Sequence, residues 1–131
     1  MSNIPENIIF TQDHVWLLPH SDNEFTLGIS DFAQEQLGDL VFVELPKTGS
    51  ATAASKACAV VESVKSASDI ICPVDGEITA VNQQLEDSPE LINESPYSDG
   101  WIVRIKAKTN LEFAGKMGED QYNQFLQDNS T

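Results

Sequence analysis

Short apolar or alternating runs, mostly cut off by Gly, Pro, Asn or Asp, recur along this chain and commit it to a mainly β architecture. They span Val15 to Leu18, Glu24 to Ile29, Leu40 to Leu45, Ala57 to Val64, Gly76 to Val81 and Trp101 to Ile105. Three segments break the pattern. Asp31 to Leu37 reads as a short helix, with Asp31 as its cap, Gln34 in the capping-box position and Gly38 as its stop. Ser88-Pro89-Glu90-Leu91 reads as a helical turn capped by Ser88, with Pro89 in the first helical position. Glu119 to Leu126 places Tyr122, Phe125 and Leu126 at helical spacing, as core contacts. The polar end, about 127–131, is expected to fray.

With 131 residues, 40% of them hydrophobic, residues 1–131 are expected to form one domain around one modest core. A net charge of -14 argues against nucleic-acid or anionic-membrane partners and favours cationic ones. No apolar stretch approaches the roughly 20 residues of a membrane span, and Met1 to Glu6 lacks the basic end and apolar stretch of a secretion signal. The cytoplasm is the expected location. His14 and His20 show no metal-ligand spacing, so neither a metal site nor an independent catalytic set is expected. Trp16 and Trp101 read as core side chains.

Lys65 is the only basic residue between Lys56 and Arg104. The β-prone runs Cys58 to Val61 and Asp69 to Cys72 flank it, so it is expected at a hairpin tip, presented to solvent. Cys58 and Cys72 each lie seven residues from it, and a symmetric hairpin would bring them near one another. Without an export signal they are expected as buried thiols, and a one-residue change of register would put them on opposite faces. At about 3.3 Å per strand residue they lie roughly 23 Å from the tip, too far to serve as catalytic partners of Lys65.

The run Glu62-Ser63-Val64-Lys65, followed by Ala67-Ser68-Asp69, resembles the lipoyl-attachment motif of the H protein of the glycine cleavage system. The resemblance continues through Thr26 to Asp31, Ala33 to Asp39, Val41 to Pro46, Leu85 to Asn93 and Ser95 to Trp101. It implies a lipoyl-domain-like flattened barrel or sandwich, a barrel-sandwich hybrid built from two similar halves, with short helices and a C-terminal helix. It also implies lipoate attached covalently to Lys65, with Glu62, three residues before, and Gly76, eleven after, recognised during modification. Read on its own, Gly76 is expected to permit an Asp75-Gly76 turn as a glycine with positive φ. The implied role is that of a carrier without catalysis of its own. Its partners would be a pyridoxal-phosphate glycine decarboxylase, a tetrahydrofolate-dependent aminomethyltransferase, the FAD enzyme dihydrolipoamide dehydrogenase, and a lipoyl ligase or transferase.

Asp69 matches a family position lining the cleft in which the loaded amine rests, where a carboxylate pairs with a positive amine. Where the family usually reads His-Glu-Trp, this chain has His14-Val15-Trp16, and Val15 supplies no charge. Asp13 is the candidate substitute, and in an extended strand it would share a face with Val15. Two alternatives stand beside glycine cleavage. One is a lipoyl relay that donates its group to other enzymes' domains, which the Val15 departure keeps open. The other is a biotin carrier, disfavoured because Val64 and Ser66, not methionines, flank Lys65.

Overall fold

Val103, Ile105 and Ala107 are buried while Arg104 and Lys106 between them are exposed, the two-residue period of a strand with one face on a core. The computed structural model of the chain describes residues 8–20, 23–108 and 117–129. Its strands are β1 (Ile9–Phe10), β2 (Val15–Pro19), β3 (Glu24–Ile29), β4 (Leu40–Glu44), β5 (Ala51–Thr52), β6 (Ala57–Ser63), β7 (Ala67–Ile71), β8 (Gly76–Val81) and β9 (Val103–Ala107). Helices α1 (Asp31–Leu37), α2 (Gln84–Asp87), α3 (Leu91–Glu94) and α4 (Glu119–Asn129) complete them. The strands form two antiparallel sheets, neither closed into a barrel, ordered β1-β2-β3-β9-β8-β5 and β4-β6-β7. Leu17, Leu27 and Ile105 from the larger sheet and Val43, Val61 and Ile70 from the smaller bury into one shared cluster. The fold is therefore an open sandwich with short helices at its margins.

A second cluster lies on the opposite face of β2. Trp16 points away from Val15 and Leu17 and packs with Phe10, Tyr97 and Tyr122 of α4, while Trp101 is half-buried against it. Phe10 stacks on Tyr122 at 4.2 Å and meets Tyr97 edge-on at 6.1 Å, fastening α4 to the back of the larger sheet. Tyr122, Phe125 and Leu126 all face this cluster, as their spacing predicts. The helix continues to Asn129, beyond the Leu126 expected; residues 130–131 lie outside the described set.

Helix α1 has the expected bounds but a different cap. Ser30, one residue earlier, accepts from the Ala33 amide at 3.1 Å, and Gln34 reaches the Asp31 carboxylate at 2.8 Å. Gly38 ends the helix at φ +83°, its amide donating to the Gln34 carbonyl. Ser88 caps no helix N-terminus: it closes α2, and α3 begins at Leu91 after the turn through Pro89 and Glu90. β9 begins at Val103, two residues after the expected Trp101.

Cys58 is the extra residue of a β-bulge between Ala57 and Ala59, which turns it toward Cys72 despite the shift in register. Both are free thiols, Cys72 buried and Cys58 half-buried. A hydrogen bond to Cys72, and then burial, push the Cys58 thiol far above its ordinary range, so it stays protonated. The Cys72 thiol donates to the Val74 carbonyl at 3.2 Å.

Gly76 needs no positive φ, contrary to the expectation for an Asp75-Gly76 turn; only Gly38 and Gly49 do so among the described glycines. Its constraint is crowding. It opens β8 between Thr52 and Ala107, and a Cβ there would fall 2.3 Å from the Lys106 carbonyl oxygen. Gly76→Val is therefore expected to cost about 3 kcal/mol or more, the upper end for overpacking. Urea unfolding measures it, and a midpoint equal to the parent's would show that β8 and β9 can part without penalty.

Candidate functional site

Ser63 builds the tip on which Lys65 stands. Its amide and its hydroxyl both donate to the Ser66 carbonyl, at 2.7 and 3.1 Å. The same hydroxyl oxygen accepts from the amides of Lys65 at 3.2 Å and Ser66 at 3.1 Å. One nearly buried hydroxyl thus satisfies the inside of the β6–β7 turn, a role that the sequence reading missed although a serine two residues before a turn residue is its usual signal. The Val64 amide donates to the Asp39 carbonyl at 3.2 Å, tying the tip to the chain just before β4.

Lys65 is exposed, and its ammonium donates to the Gln36 carbonyl at 3.3 Å in the last turn of α1. No basic residue of α1 itself occupies that turn, so Lys65 supplies the cation that a helix C-terminus favours. Around the tip three large apolar side chains face solvent: Val64 (71% exposed), Val41 and Phe42. Glu62 is exposed, three residues before the lysine, and lies in register between Phe42 on β4 and Ala67 on β7. Gly76 belongs to the other sheet, so it and Glu62 are not neighbours in one ladder.

A cavity of about 270 Å³ opens beside the tip, between α1, β7 and the turn that precedes β2. Its apolar lining includes Val15, Ile29, Phe32, Leu37 and Ile70; Asp13, His14, Gln36, Ser68 and Asp69 supply polar groups. Gln36 joins the two parts of the site, since its carbonyl meets Lys65 and the residue also borders the cavity. Asp13 and Asp69 thus line one cavity, 56 residues apart in sequence. Asp13 is not in an extended strand with Val15: it sits in a turn in which its amide meets the Thr11 hydroxyl and His14 takes φ +65°. That break cancels the alternation expected between residues 13 and 15. Asp69 is exposed, in register with Val60, while Ser68 and Ile70 alternate with it, and it borders the cavity from the rim. Val15 is 1% exposed, part of the main core as well as of the cavity wall. A larger cavity of about 390 Å³ borders Gly76, Glu77 and Lys106 and includes no residue of the tip.

His14 is bound from behind. Its Nδ1 meets the Tyr122 hydroxyl at 2.7 Å, and that hydroxyl meets the Ser30 hydroxyl at 2.8 Å, so α4, the start of α1 and the cavity wall share one chain of hydrogen bonds. Burial lowers the His14 pKa, with the neighbouring Asp13 charge opposing. Burial raises the Tyr122 pKa, with its Ser30 bond opposing. Nothing local in the sequence marks His14 and Tyr122, 108 residues apart, as partners. Among the described residues no group of three or more His, Cys, Asp and Glu could hold a metal ion, and no helix is long and apolar enough to cross a membrane.

Residues 8–129 match the family model described as glycine cleavage H-protein. The glycine cleavage system H protein of Salmonella arizonae is 49% identical over 128 residues, covering 98% of this chain and 99% of that protein. The protein of the same name from Pseudoalteromonas atlantica is 49% identical over the same lengths. The crystal structure of a glycine cleavage system H protein from Mycobacterium marinum superposes with a TM-score of 0.83 at 35% identity, over 95% of this chain and 99% of that one.

Because the folded chain holds His14 below its ordinary 6.5, the unfolded chain binds the proton more readily. The stability contributed by neutral His14 is thus complete above about pH 6.5 and is lost as pH falls below it. Urea unfolding between pH 7.5 and 5.5 should show the parent losing more stability than His14→Gln. Parallel pH profiles would mean that His14 does not titrate in the folded state as its surroundings require.

Proposed function

The chain belongs to the glycine cleavage H-protein family, a family of lipoyl carriers, and on that premise we propose that Lys65 is its lipoyl-bearing residue. The observation that carries the assignment is the exposed Lys65 amine, on a turn held by Ser63 and hydrogen-bonded to the carbonyl of Gln36, a residue that also borders the cavity. The apolar wall of Val15, Ile29, Phe32 and Leu37 suits a hydrocarbon arm, and the carboxylates of Asp13 and Asp69 suit a positively charged cargo. When attached, lipoate supplies a strained, exchangeable disulfide, which suits transfer of an aminomethyl group and of electrons.

A lysine ammonium offers three donors and no lone pair, so it is not itself a nucleophile and acylation of Lys65 needs the help of an enzyme. A ligase or transferase must read the tip, and the proposed reading positions are Glu62, exposed beside Phe42, and Gly76. Gly76 acts through the packing of β8 against β9, which orders the sheet behind the hairpin. The protein carries and shelters; the decarboxylase, the folate-dependent aminomethyltransferase and the flavin dehydrogenase perform the reactions. The matched span of residues 8–129 and the core shared by both sheets support one carrier domain. Its place is the cytoplasm, beside these enzymes.

With a valine at position 15, the charge available to the amine is that of Asp13 and Asp69. Lys65→Arg should fold as the parent does and take up no lipoyl group when made with lipoate and a ligase, while the parent gains one, read by intact mass and peptide mapping. Lipoate on another lysine, or biotin on Lys65, would overturn the assignment. Asp69→Asn should shorten the half-life of the carried aminomethyl group about two- to fivefold at neutral pH, the scale of a partly exposed ion pair. Equal half-lives, measured by ammonia release without the aminomethyltransferase, would leave the amine to Asp13.

A further inference from the structure

Gly38 stands under the Lys65 side chain. A Cβ built on it would lie 3.2 Å from the lysine Cε and 3.6 Å from Nζ, tighter than an ordinary contact at the first of these. The backbone there holds φ +83° and ψ -160°, which favours glycine on its own account. The Gly38 carbonyl accepts from the Asn93 side chain at 2.9 Å, which fixes the loop against α3. The lysine therefore rests on a surface with no freedom to retreat.

We propose that Gly38 is the positioning residue for the Lys65 arm. With no side chain at 38, the lysine lies along the last turn of α1 and its nitrogen donates to the Gln36 carbonyl, one of the helix's terminal carbonyls without an intrahelical partner. Acylation removes the positive charge and two of the three N–H groups, but the amide keeps one donor on the same atom. That donor stays on Gln36, and because Gln36 also borders the Asp13–Asp69 cavity, the arm leaves the tip toward the cavity. The direction of the arm rests on Lys65 being the acylated residue; the seat formed by Gly38 and Gln36 does not.

Two measurements test the seat. In the unmodified full chain, trace labelling with acetic anhydride should acetylate Lys65 about two- to fivefold more slowly than the exposed Lys47 and Lys56, the scale of a cation held at a helix C-terminus. Gly38→Ala should bring the three rates together. Equal rates in the parent would overturn the proposal. Because Gly38→Ala also strains the turn, the second measurement uses the parent: protein labelled with 15Nζ-lysine and lipoylated by a ligase should exchange its Lys65 amide proton at least about twofold more slowly than the same chain in urea. Exchange at the urea rate would overturn the arm's anchoring. Absence of the lipoyl group from Lys65 would instead overturn the function proposed above, and the acetylation result would stand apart from it.

Discussion

Everything at the site depends on the register of β6 against β7. A slip of one residue would turn Val61, fully buried, toward solvent and Glu62 toward the core, and the cost of the buried carboxylate alone forbids it. The bulge at Cys58 locks the lower end of the pair and the Ser63 hydroxyl locks the upper, so the turn between them has one conformation to offer. The lipoylation proposed for Lys65 needs this, because the residue would be recognised by its place rather than by its chemistry. Other exposed lysines carry the same amine, and only geometry separates Lys65 from them.

The cavity depends on longer connections. The α1 cap, Ser30, is also the residue through which Tyr122 reaches His14, so the start of the helix that carries Gln36 and Gly38 is tied to the C-terminal helix on the far side of the larger sheet. The Asn93 side chain donates to both the Gln34 side chain and the Gly38 carbonyl and accepts the Leu40 amide, closing the other end of α1. Helix α1 is thereby held at both ends, and one wall of the cavity with it.

How much of this could be read from the amino-acid order follows the range of each interaction. The bounds of α1, β3 and β8 were legible because local chemistry sets them, in the residues around Ser30 and Gly38 and in the alternating runs. The hairpin and the exposure of Lys65 were legible for the same reason. Asp13 failed as a strand residue because His14 takes a left-handed conformation that no periodicity announces. The turn reading of Gly76 failed because its constraint comes from a carbonyl on β9, 30 residues away. The Gln36 carbonyl was invisible for a simpler reason: every residue has one, and only the fold decides which of them meets a lysine.

Among the described residues strand β4 is an edge of the smaller sheet, and it carries Val41 and Phe42 in solvent beside Val64. An apolar edge of this kind is a template for a second copy of the chain. The bulge between Leu40 and Phe42 interrupts the even spacing of its donors and acceptors, and a charge of -14 on every molecule drives copies apart. The edge can thus stay sticky toward a differently charged surface without sticking to itself. A carrier with that property can accumulate well above the concentration of the proteins it visits and still circulate one molecule at a time.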